Sequence, residues 1–398
     1  MYVTRPLSLC LRNPGALSEP PPEGPSSGFL VVQDEEAEST CCFGLCEDTR
    51  IRDLPFPQNK NLTIRYTTSQ QNGTTNSYRD DVILIPVLNK PLSSNQYYAI
   101  QPRGRHKGEA HANSKDEDMT NCLCFSFVHD ADPVPLNPHN IYQQFVIDPY
   151  ETLCTAGSFS AKSLASDGHP PRFLRRKGWR VYSKKPKNFY LGEAPGIFDR
   201  SLRAQLPSFD VGTFEKSSQP VLVGRWYCPF MFVRDGALGD QVKRSTYYEM
   251  TLQQRWEQVY ACENDGLERR EPSDRNVLVD VSVKDTAILV GGKEAKHGNV
   301  ANGILCFVGD ERESCGVGLS LGIIERMKWE EERFGWVSGD DNGQLRVKRV
   351  EEIEGSGSDW KRFGCYVLVE SFVLKRMEGS LVMSYDFRHT QHVRCKWE

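Results

Sequence analysis

The chain is 398 residues long, which is enough for two or three domains at roughly 100–200 residues each. Its hydrophobic fraction of 38% permits sizeable cores, and its formal net charge of −4 excludes a general electrostatic attraction to nucleic acid or membranes. No apolar run approaches the roughly 18 residues of a transmembrane helix, and the first residues lack the apolar core of a signal peptide. The 13 cysteines, an odd and scattered set, indicate reduced thiols. We therefore expect a soluble protein of the cytoplasm, or else of the nucleus, without a membrane span.

Prolines dominate the start of the chain. Within residues 11–28 they are Pro14, Pro20, Pro21, Pro22 and Pro25. Proline fixes φ and removes an amide donor, so a proline-rich stretch favours an extended chain over a folded element. We predict that residues 1–28 form an extended N-terminal segment.

Short apolar runs follow, each of strand length and each bounded by Gly, Pro, Asn or Asp. They cover residues 29–32, 62–66, 82–87, 97–100 and 122–128. This pattern is typical of β-strands. We predict a β-rich domain over residues 29–150, followed at 151–215 by a connector that is rich in small and polar residues and carries a basic cluster.

The last part, residues 216–398, has the clearest strand signals. Four valines, at positions 277, 279, 281 and 283, alternate with other residues, which is the period-two pattern of a strand with one apolar face. Near the end, residues 365–374 and 381–387 flank Gly379, where glycine suits a tight hairpin. We predict a second β-rich domain here.

Two helices are predicted within that domain. Thr251 and Gln254 resemble a capping box, and apolar residues then recur at helical spacing as far as Tyr260. A second helical pattern follows Gly322. The fold class is therefore α+β, predominantly antiparallel β, with two β-rich domains and a few packed helices. A regular βαβ alternation is absent, which excludes a doubly wound sheet.

Long phrases of the sequence resemble one plant-specific family, which is catalogued only as a domain of unknown function, number twelve-sixty-two. They include PPPEGPSSGFLVVQDEEAESTCCFGLC, DLPFPQNKNLTIRY, IPVLNKPLSSNQYYAI, WYCPFMFVRDG, YYEMTLQQRWEQVYACEN and VLKRMEGSLVMSYDF. The resemblance implies a plant source and a single family unit over most of the chain. It implies no activity, ligand or catalytic residue, because the family has none assigned.

The pentapeptide Gly318-Leu319-Ser320-Leu321-Gly322 is the sharpest enzymatic signal. It matches the G-x-S-x-G elbow, in which small residues let the chain turn sharply and expose a serine nucleophile. Asp386 with His389 or His392 would supply an acid and a base in the order of a serine hydrolase. These three lie within seven residues beside one predicted hairpin, however, and no oxyanion loop of the His-Gly-Gly type is present. Ser320 is therefore only a candidate nucleophile.

Four cysteines are candidate metal ligands: Cys42, Cys46, Cys122 and Cys124. Together they would give a four-sulfur zinc site. In an extended strand, residues two apart lie roughly 6–7 Å from each other, whereas sulfurs on tetrahedral zinc lie about 4 Å apart. No C-x-x-C knuckle occurs, so small buried side chains are the simpler interpretation, and acylation is a further alternative.

The basic stretch over residues 172–187 is the main concentration of charge, with eight cations and three aromatic residues. Its candidate nucleic-acid contacts are Arg175, Arg176, Lys177, Trp179, Lys184 and Lys185. Such a stretch would grip phosphates and stack on bases, and it also resembles a bipartite nuclear address. The alternative is a solvated connector whose aromatic side chains pack on a neighbouring domain.

These observations leave the activity unknown. We expect a non-enzymatic interaction or regulatory protein of plant cells that works through exposed strand edges and loops on an unidentified protein partner, without a cofactor. A serine hydrolase using Ser320 and a nucleic-acid-associated protein using residues 172–187 are the alternatives.

Overall fold

Alternation of apolar and polar side chains produces a chain made mostly of antiparallel strands, with a few short helices. The computed structural model describes residues 1–38, 40–41, 46–69, 74–122, 125–150, 156–212, 215–264, 276–309, 316–353 and 360–398. The predicted α+β class with predominantly antiparallel β structure is confirmed.

The strands of the first half are short, apart from two that form a long hairpin. They are β1 Tyr2–Pro6, β2 Gly28–Val32, β3 Thr40–Cys41, β4 Cys46–Glu47, β5 Arg50–Ile51, β6 Asn61–Ser69, β7 Thr75–Pro86, β8 Gln96–Ile100, β9 Ser114–Lys115, β10 Met119–Cys122, β11 Phe125–Val128, β12 Gln144–Pro149, β13 Phe159–Ser163, β14 Gly168–His169 and β15 Arg180–Lys184.

Several strands of the second half are longer, and five helices lie between strands of the described chain. The strands are β16 Gly196–Ile197, β17 Val221–Pro229, β18 Val233–Asp235, β19 Tyr247–Glu263, β20 Asn276–Lys284, β21 Thr286–Val290, β22 Lys293–Ala301, β23 Ile304–Val308, β24 Val317–Ser320, β25 Gln344–Glu352, β26 Arg362–Arg376 and β27 Leu381–Trp397. The helices are α1 Leu7–Arg12, α2 Arg172–Arg175, α3 Arg200–Gln205, α4 Leu238–Arg244 and α5 Leu321–Arg333. No described helix is both long enough and apolar enough to cross a membrane.

A seven-stranded sheet occupies the first half, in the order β13-β12-β8-β7-β6-β15-β5. Its buried face includes Phe56, Phe159 and Trp179, with the rings of the last two 5.4 Å apart. The stretch 151–215 was expected to be a connector, but it supplies β13 and β15 to this sheet. Pairing with β12 and β6 overrides the lack of a clear strand pattern there.

The larger sheet runs in the order β18-β24-β23-β22-β21-β27-β26-β19-β17-β1-β2, and β16 also pairs with β17. Its described pairs are antiparallel except β1 and β2, which run parallel. Residues 1–28 were predicted to form an extended N-terminal segment, and within them β1 lies inside this sheet, with Tyr2 fully buried opposite Tyr227. The extended backbone of β1 follows from the local sequence. Its place in the sheet is determined by pairing with strands that are distant in sequence.

Side chains from both sheets meet in one apolar cluster. Tyr98 of the seven-stranded sheet lies 6.5 Å, ring to ring, from Phe232, which follows β17. Phe189 packs edge-on against Tyr247 at 5.0 Å. The two sheets therefore share a buried boundary.

The predicted helix beginning near Thr251 is wrong, because residues 247–263 form β19, a strand of 17 residues between β17 and β26. Its buried side chains include Leu252 and Trp256, whose spacing of four residues suits a strand and a helix equally well. Pairing along both edges decides in favour of the strand. The helix predicted to follow Gly322 is confirmed as α5, which begins two residues earlier than expected.

The valine alternation is confirmed in β20, which pairs with β25 as a separate two-stranded sheet. Val277 and Val279 are buried and pack with Val347 against side chains of β26. The hairpin predicted around Gly379 is also present, with a φ of +92° at that glycine.

Candidate functional site

A cleft of about 340 Å³ lies where the seven-stranded sheet meets α4. We call it the basic cleft. Its cationic lining residues are Arg103, Lys107, Lys184, Lys185 and Lys187, and Asp81 is its carboxylate. The remaining lining residues are Asn61, Leu62, Thr63, Val82, Ile83, Pro102, Asn188, Val242 and Thr246. Positive charge therefore greatly exceeds negative charge around one concave site, although the whole chain is slightly acidic.

Most of this charge is not neutralised by the protein. Arg103 and Asp81, which both line the cleft, form an ion pair with 3.2 Å between Arg103 Nη1 and Asp81 Oδ2. The four lysines have no acidic partner at ion-pair distance within the described parts of the chain. Burial, and then repulsion from Lys243 and Arg103, lowers the pKa of Lys107. Such an excess of positive charge attracts anions.

Strand pairing and a side-chain hydrogen bond hold one wall of the cleft in place, and close packing on α4 holds the other. Lys184 ends β15 opposite Asn61 of β6, which brings the lysine-rich stretch alongside the sheet. Asn188 Nδ2 then lies 3.3 Å from Thr246 Oγ1, linking this stretch to the end of α4. On the other side, Gly108 has a φ of +89°, and a Cβ there would lie 2.8 Å from Leu238 Cγ. The loop that carries Lys107 is thus packed tightly on α4.

The basic run predicted from the sequence divides into two parts in the fold. Lys184 and Lys185 line the basic cleft, whereas Arg176 and Lys177 are exposed outside it. Arg175 lies 3.4 Å from Asp130, an ion pair at the surface.

Trp179, the candidate for base stacking, is fully buried, and its indole N–H donates to the Leu174 carbonyl oxygen at 3.1 Å. Its ring therefore packs in the protein core. Arg103 and Lys107 were missed, since nothing in the sequence shows that they lie beside residues roughly 80 positions later.

Ser320 is the last residue of β24 and directly precedes α5, so a strand leads into a helix at the serine as in the elbow. Its φ of −63° and ψ of 144° are ordinary extended values, without the strain of a nucleophile elbow. Its Oγ accepts a hydrogen bond from the amide of Ile323 at 3.3 Å. Ser320 is therefore the N-cap of α5.

The structure does not bring Ser320 to the predicted acid and base. His389 Nε2 lies 2.7 Å from Glu331, near the far end of α5, eleven residues after Ser320. At 1.5 Å per residue this separates them by roughly 16 Å. Asp386 accepts a hydrogen bond from Arg255 at 2.7 Å, and His392 packs near Phe334 just beyond α5.

A second constellation, which the sequence did not indicate, is the buried cluster of Arg203, Glu331, Glu370 and His389. Arg203 donates from Nε to Glu370 at 3.0 Å and from Nη2 to Glu331 at 3.0 Å. Gln254 donates to Glu370 Oε1 at 2.8 Å. These contacts join α3, α5, β19, β26 and β27 in the interior, where both carboxylates and the imidazole are fully buried.

The hydrogen bonds define the state of His389. The side-chain amide of Gln391 donates to the Gly335 carbonyl oxygen at 2.9 Å and to His389 Nδ1 at 3.1 Å. Nδ1 is thus an acceptor, so the proton is on Nε2, which donates to Glu331. Burial lowers the pKa of His389 to about 4, so the ring is neutral at neutral pH.

Burial disfavours the ionised form of the two carboxyl groups in the cluster. Burial, and then the charge of Glu331, raises the pKa of Glu370 to about 7. Burial also raises the pKa of Glu331. With Glu370 protonated, the cations Arg203 and Arg326 match the remaining carboxylates of Glu330 and Glu331.

Donor atoms of Glu331, Glu370 and His389 lie within 4.8 Å of one another, a spacing compatible with a metal ion. However, the Arg203 guanidinium already binds both carboxylates, so a metal would have to displace a buried cation. The arrangement fits a structural ion cluster better than a metal centre.

The predicted zinc ligands are not placed by the structure. Cys42 and Cys124 lie outside the described residues, as do the side chains of Cys46 and Cys122. Elsewhere, four cysteines are free thiols: Cys10, Cys228, Cys365 and Cys395. Cys306 is disulfide-bonded, so the expectation of reduced thiols is wrong for this residue.

Comparison with known proteins gives a family match over part of the chain and no activity. The family described as "Protein of unknown function (DUF1262)" matches residues 23–125, which confirms the resemblance over that stretch. No curated protein matches the sequence. Among solved structures, the crystal structure of Cry35Ab1 is similar with a TM-score of 0.43 and 13% identity, covering 86% of this chain and 90% of that chain. At these values we draw no functional conclusion from it.

Proposed function

We propose that this chain is a non-enzymatic regulatory protein that binds a compact, multiply charged phosphate compound in the basic cleft. The observation that carries the proposal is the set of four lysines without acidic partners among the described residues, all lining one concave site. Several cations around one concave site attract an anion. In this proposal Lys184 and Lys185 contact phosphate groups of a small ligand and not of a nucleic acid.

The size and lining of the cleft favour a small ligand. Its volume of about 340 Å³ is within the roughly 300–1,000 Å³ that is usual for small-molecule sites. None of its described lining residues is aromatic, so it offers no platform on which a base would stack. Trp179, the candidate for base stacking in the basic run, is buried. Phosphate groups, rather than nucleobases, match this lining.

A non-enzymatic role is supported by the position of the candidate nucleophile. Ser320 caps a helix and lies about one helix length from His389. The unpaired lysines offer positive charge without a positioned nucleophile in the described lining. Binding of an anion is therefore what such a site provides.

Calorimetric titration of the purified chain tests the proposal, with myo-inositol hexakisphosphate, pyrophosphate and a short single-stranded RNA as probes. We expect hexakisphosphate to bind most tightly and to lose affinity as salt rises, because exposed charges are screened. The double variant Lys184→Ala/Lys185→Ala should weaken binding roughly tenfold, since each exposed ion pair contributes up to about 1 kcal/mol.

Lys177→Ala is the matched control, because Lys177 belongs to the same basic run but lies outside the cleft. It should leave the affinity unchanged. Tighter binding of the RNA, lost equally in both variants, would indicate nucleic-acid recognition over the whole run instead. Absence of any binding at low salt would overturn the proposal.

We further propose a plant source and a location in the cytoplasm or nucleus. The family resemblance supports the source, and the free thiols of Cys10, Cys228, Cys365 and Cys395 support a reducing compartment. The disulfide at Cys306 is evidence in the other direction. A fluorescent fusion imaged in plant cells tests the location, and fluorescence confined to the secretory route would contradict it.

A further inference from the structure

Two free cysteines face each other across neighbouring strands of the large sheet. Cys365 of β26 and Cys395 of β27 are direct register partners in an antiparallel pair. Directly opposed residues project from the same face of a sheet, with Cα atoms roughly 4.5–5.5 Å apart. Disulfides need Cα atoms about 4.4–6.8 Å apart, so the backbone already meets this requirement.

The two sulfur atoms are also in contact. The interaction of the two thiols lowers the pKa of Cys365 and raises that of Cys395. The charge of Arg349 also lowers the pKa of Cys365, and Glu351 adds to the rise at Cys395. The lowered pKa suits Cys365 to attack a sulfur already held in a disulfide on Cys395, because the thiolate is the nucleophilic form.

The two cysteines differ in their exposure to solvent. Cys365 is fully buried under the β20–β25 sheet, and Cys395 is half-buried in the same apolar cluster. A small oxidant therefore reaches Cys395 first, and Cys365 lies behind it. This order, an accessible sulfur with an adjacent buried partner, is that of a reacting and a resolving cysteine.

We propose that Cys365 and Cys395 form a reversible disulfide with a low-molecular-weight disulfide, such as oxidised glutathione, as the oxidant. In the first exchange, Cys395 forms a bond to one glutathione sulfur and the other glutathione leaves as a thiol. In the second, Cys365 attacks Cys395 Sγ, and the second glutathione leaves as a thiol. The protein loses two electrons and two protons, and both end on the two glutathione thiols.

Formation of this bond would link β26 to β27 covalently near the end of the sheet. Residues 365 to 395 would then be closed into a loop that contains the hairpin at Gly379. The same apolar face carries Trp397, whose ring lies 4.4 Å from Phe363. Oxidation would therefore stabilise the pairing of the last two strands and the cluster packed on it.

A third cysteine in the same cluster is an alternative disulfide partner for Cys365. Cys262 of β19 lies two residues beyond Tyr260, and Tyr260 is opposite Cys365. Cys262 is thus diagonal to Cys365, whereas Cys395 is directly opposed to it. Diagonal positions on a sheet are roughly 7–8 Å apart, which is beyond the disulfide range. The direct pair should therefore form the bond.

The test is to equilibrate the folded full chain with mixtures of oxidised and reduced glutathione, block free thiols and map disulfides by mass spectrometry. We expect a loss of two hydrogens in mass and a peptide link between Cys365 and Cys395, both reversed by excess reduced glutathione. Cys395→Ser should abolish the link, and Cys262→Ser should leave it unchanged.

The wild-type map alone decides the question if a variant does not fold. Stable glutathione adducts on Cys395 without a protein disulfide would overturn the proposal, as would a link from Cys262 or no reaction under oxidising mixtures. Hydrogen exchange gives an independent measure. Amides of β26 and β27 flanking the bond should exchange several-fold more slowly in the oxidised chain, and an unchanged rate would contradict the proposed effect on strand pairing.

Discussion

Arg203 Nε lies 3.0 Å from Glu370 Oε1, and this contact joins the short helix α3 to the interior strand β26. The guanidinium also binds Glu331 of α5 and lies 4.4 Å from the centre of the Phe334 ring. Three separate elements thus converge on one buried cation. Such a cation makes the cluster sensitive to any change in its charge balance.

Replacement of Arg203 by methionine should therefore destabilise the fold strongly. The change keeps the approximate length of the side chain but leaves Glu331 and Glu370 without their shared cation. Removing one partner of a buried ion pair costs about 3–5 kcal/mol. Urea unfolding followed by tryptophan fluorescence measures the loss. Arg200→Met is the control, because Arg200 lies on the same helix with 72% of its side chain exposed. It should cost under about 0.5 kcal/mol, and equal losses in the two variants would contradict the assignment.

Glu370→Gln should be tolerated near neutral pH, because glutamine resembles the protonated form of the carboxyl group. The informative result is its pH dependence. The pKa of Glu370 in the folded state is raised to about 7 from an ordinary 4.5. Its contribution to stability is therefore fully present below pH 4.5 and is lost as pH rises through 7.

The contribution of His389 has the opposite sign. Its pKa is lowered from 6.5 to about 4, so its contribution is complete above pH 6.5 and is lost as pH falls through 4. In the wild type the two contributions partly cancel between these limits. We therefore subtract the unfolding free energy of Glu370→Gln from that of the wild type. This difference should fall between pH 4.5 and pH 7, by at most about 1.4 kcal/mol per pH unit. Urea midpoints across this range measure the difference, and parallel profiles would show that Glu370 titrates normally.

Ser320→Ala should reduce stability by about 1 kcal/mol, because it removes the side-chain acceptor for the Ile323 amide at the start of α5. Ser320→Thr, which keeps a capping hydroxyl, should recover most of that loss in thermal unfolding. A fluorophosphonate probe should label the wild type and Ser320→Ala equally. Labelling that depends on Ser320 would restore the serine hydrolase alternative.

Asp81→Asn should strengthen anion binding in the basic cleft. The carboxylate of Asp81 faces Arg103 at 3.2 Å and offsets part of the positive charge. Its removal should tighten hexakisphosphate binding about three- to fivefold, the effect of one exposed charge pair, and steepen the salt dependence in calorimetry. Asp80→Asn is the control, since Asp80 is the preceding residue of β7 and points to the other face of the sheet. An equal gain in both variants would mean that the charge acts over a long range and the cleft is not the site.

Sequence patterns predicted elements whose side-chain period is set locally. The alternating valines of β20 and the hairpin at Gly379 are confirmed, because one buried face and one turn glycine suffice to specify them. The helix α5 is confirmed for the same reason. The prediction failed at β19, where Leu252 and Trp256, four residues apart, suit either period. Only the pairing with β17 and β26, distant in sequence, selects the strand.

The candidate sites depend on long-range contacts to a still greater degree. Lys184 and Lys185 were evident in the basic run, but Arg103 and Lys107 join them only because β15 pairs with β6 beside the loop that follows β8. Arg203 belongs to a six-residue helix without any apolar periodicity. Local sequence gives no sign that such a residue will be buried against carboxylates from two other elements.

The position of β1 has a consequence for biosynthesis. Tyr2 lies opposite Tyr227 of β17, so one edge of β1 has no partner until more than 200 further residues have been made. At the roughly 5–20 residues per second of translation, this interval lasts about ten to forty seconds. During that time the apolar strands β1 and β2 expose hydrogen-bonding groups that other chains can pair with. The nascent chain therefore has a period of vulnerability to aggregation in which chaperones would protect it.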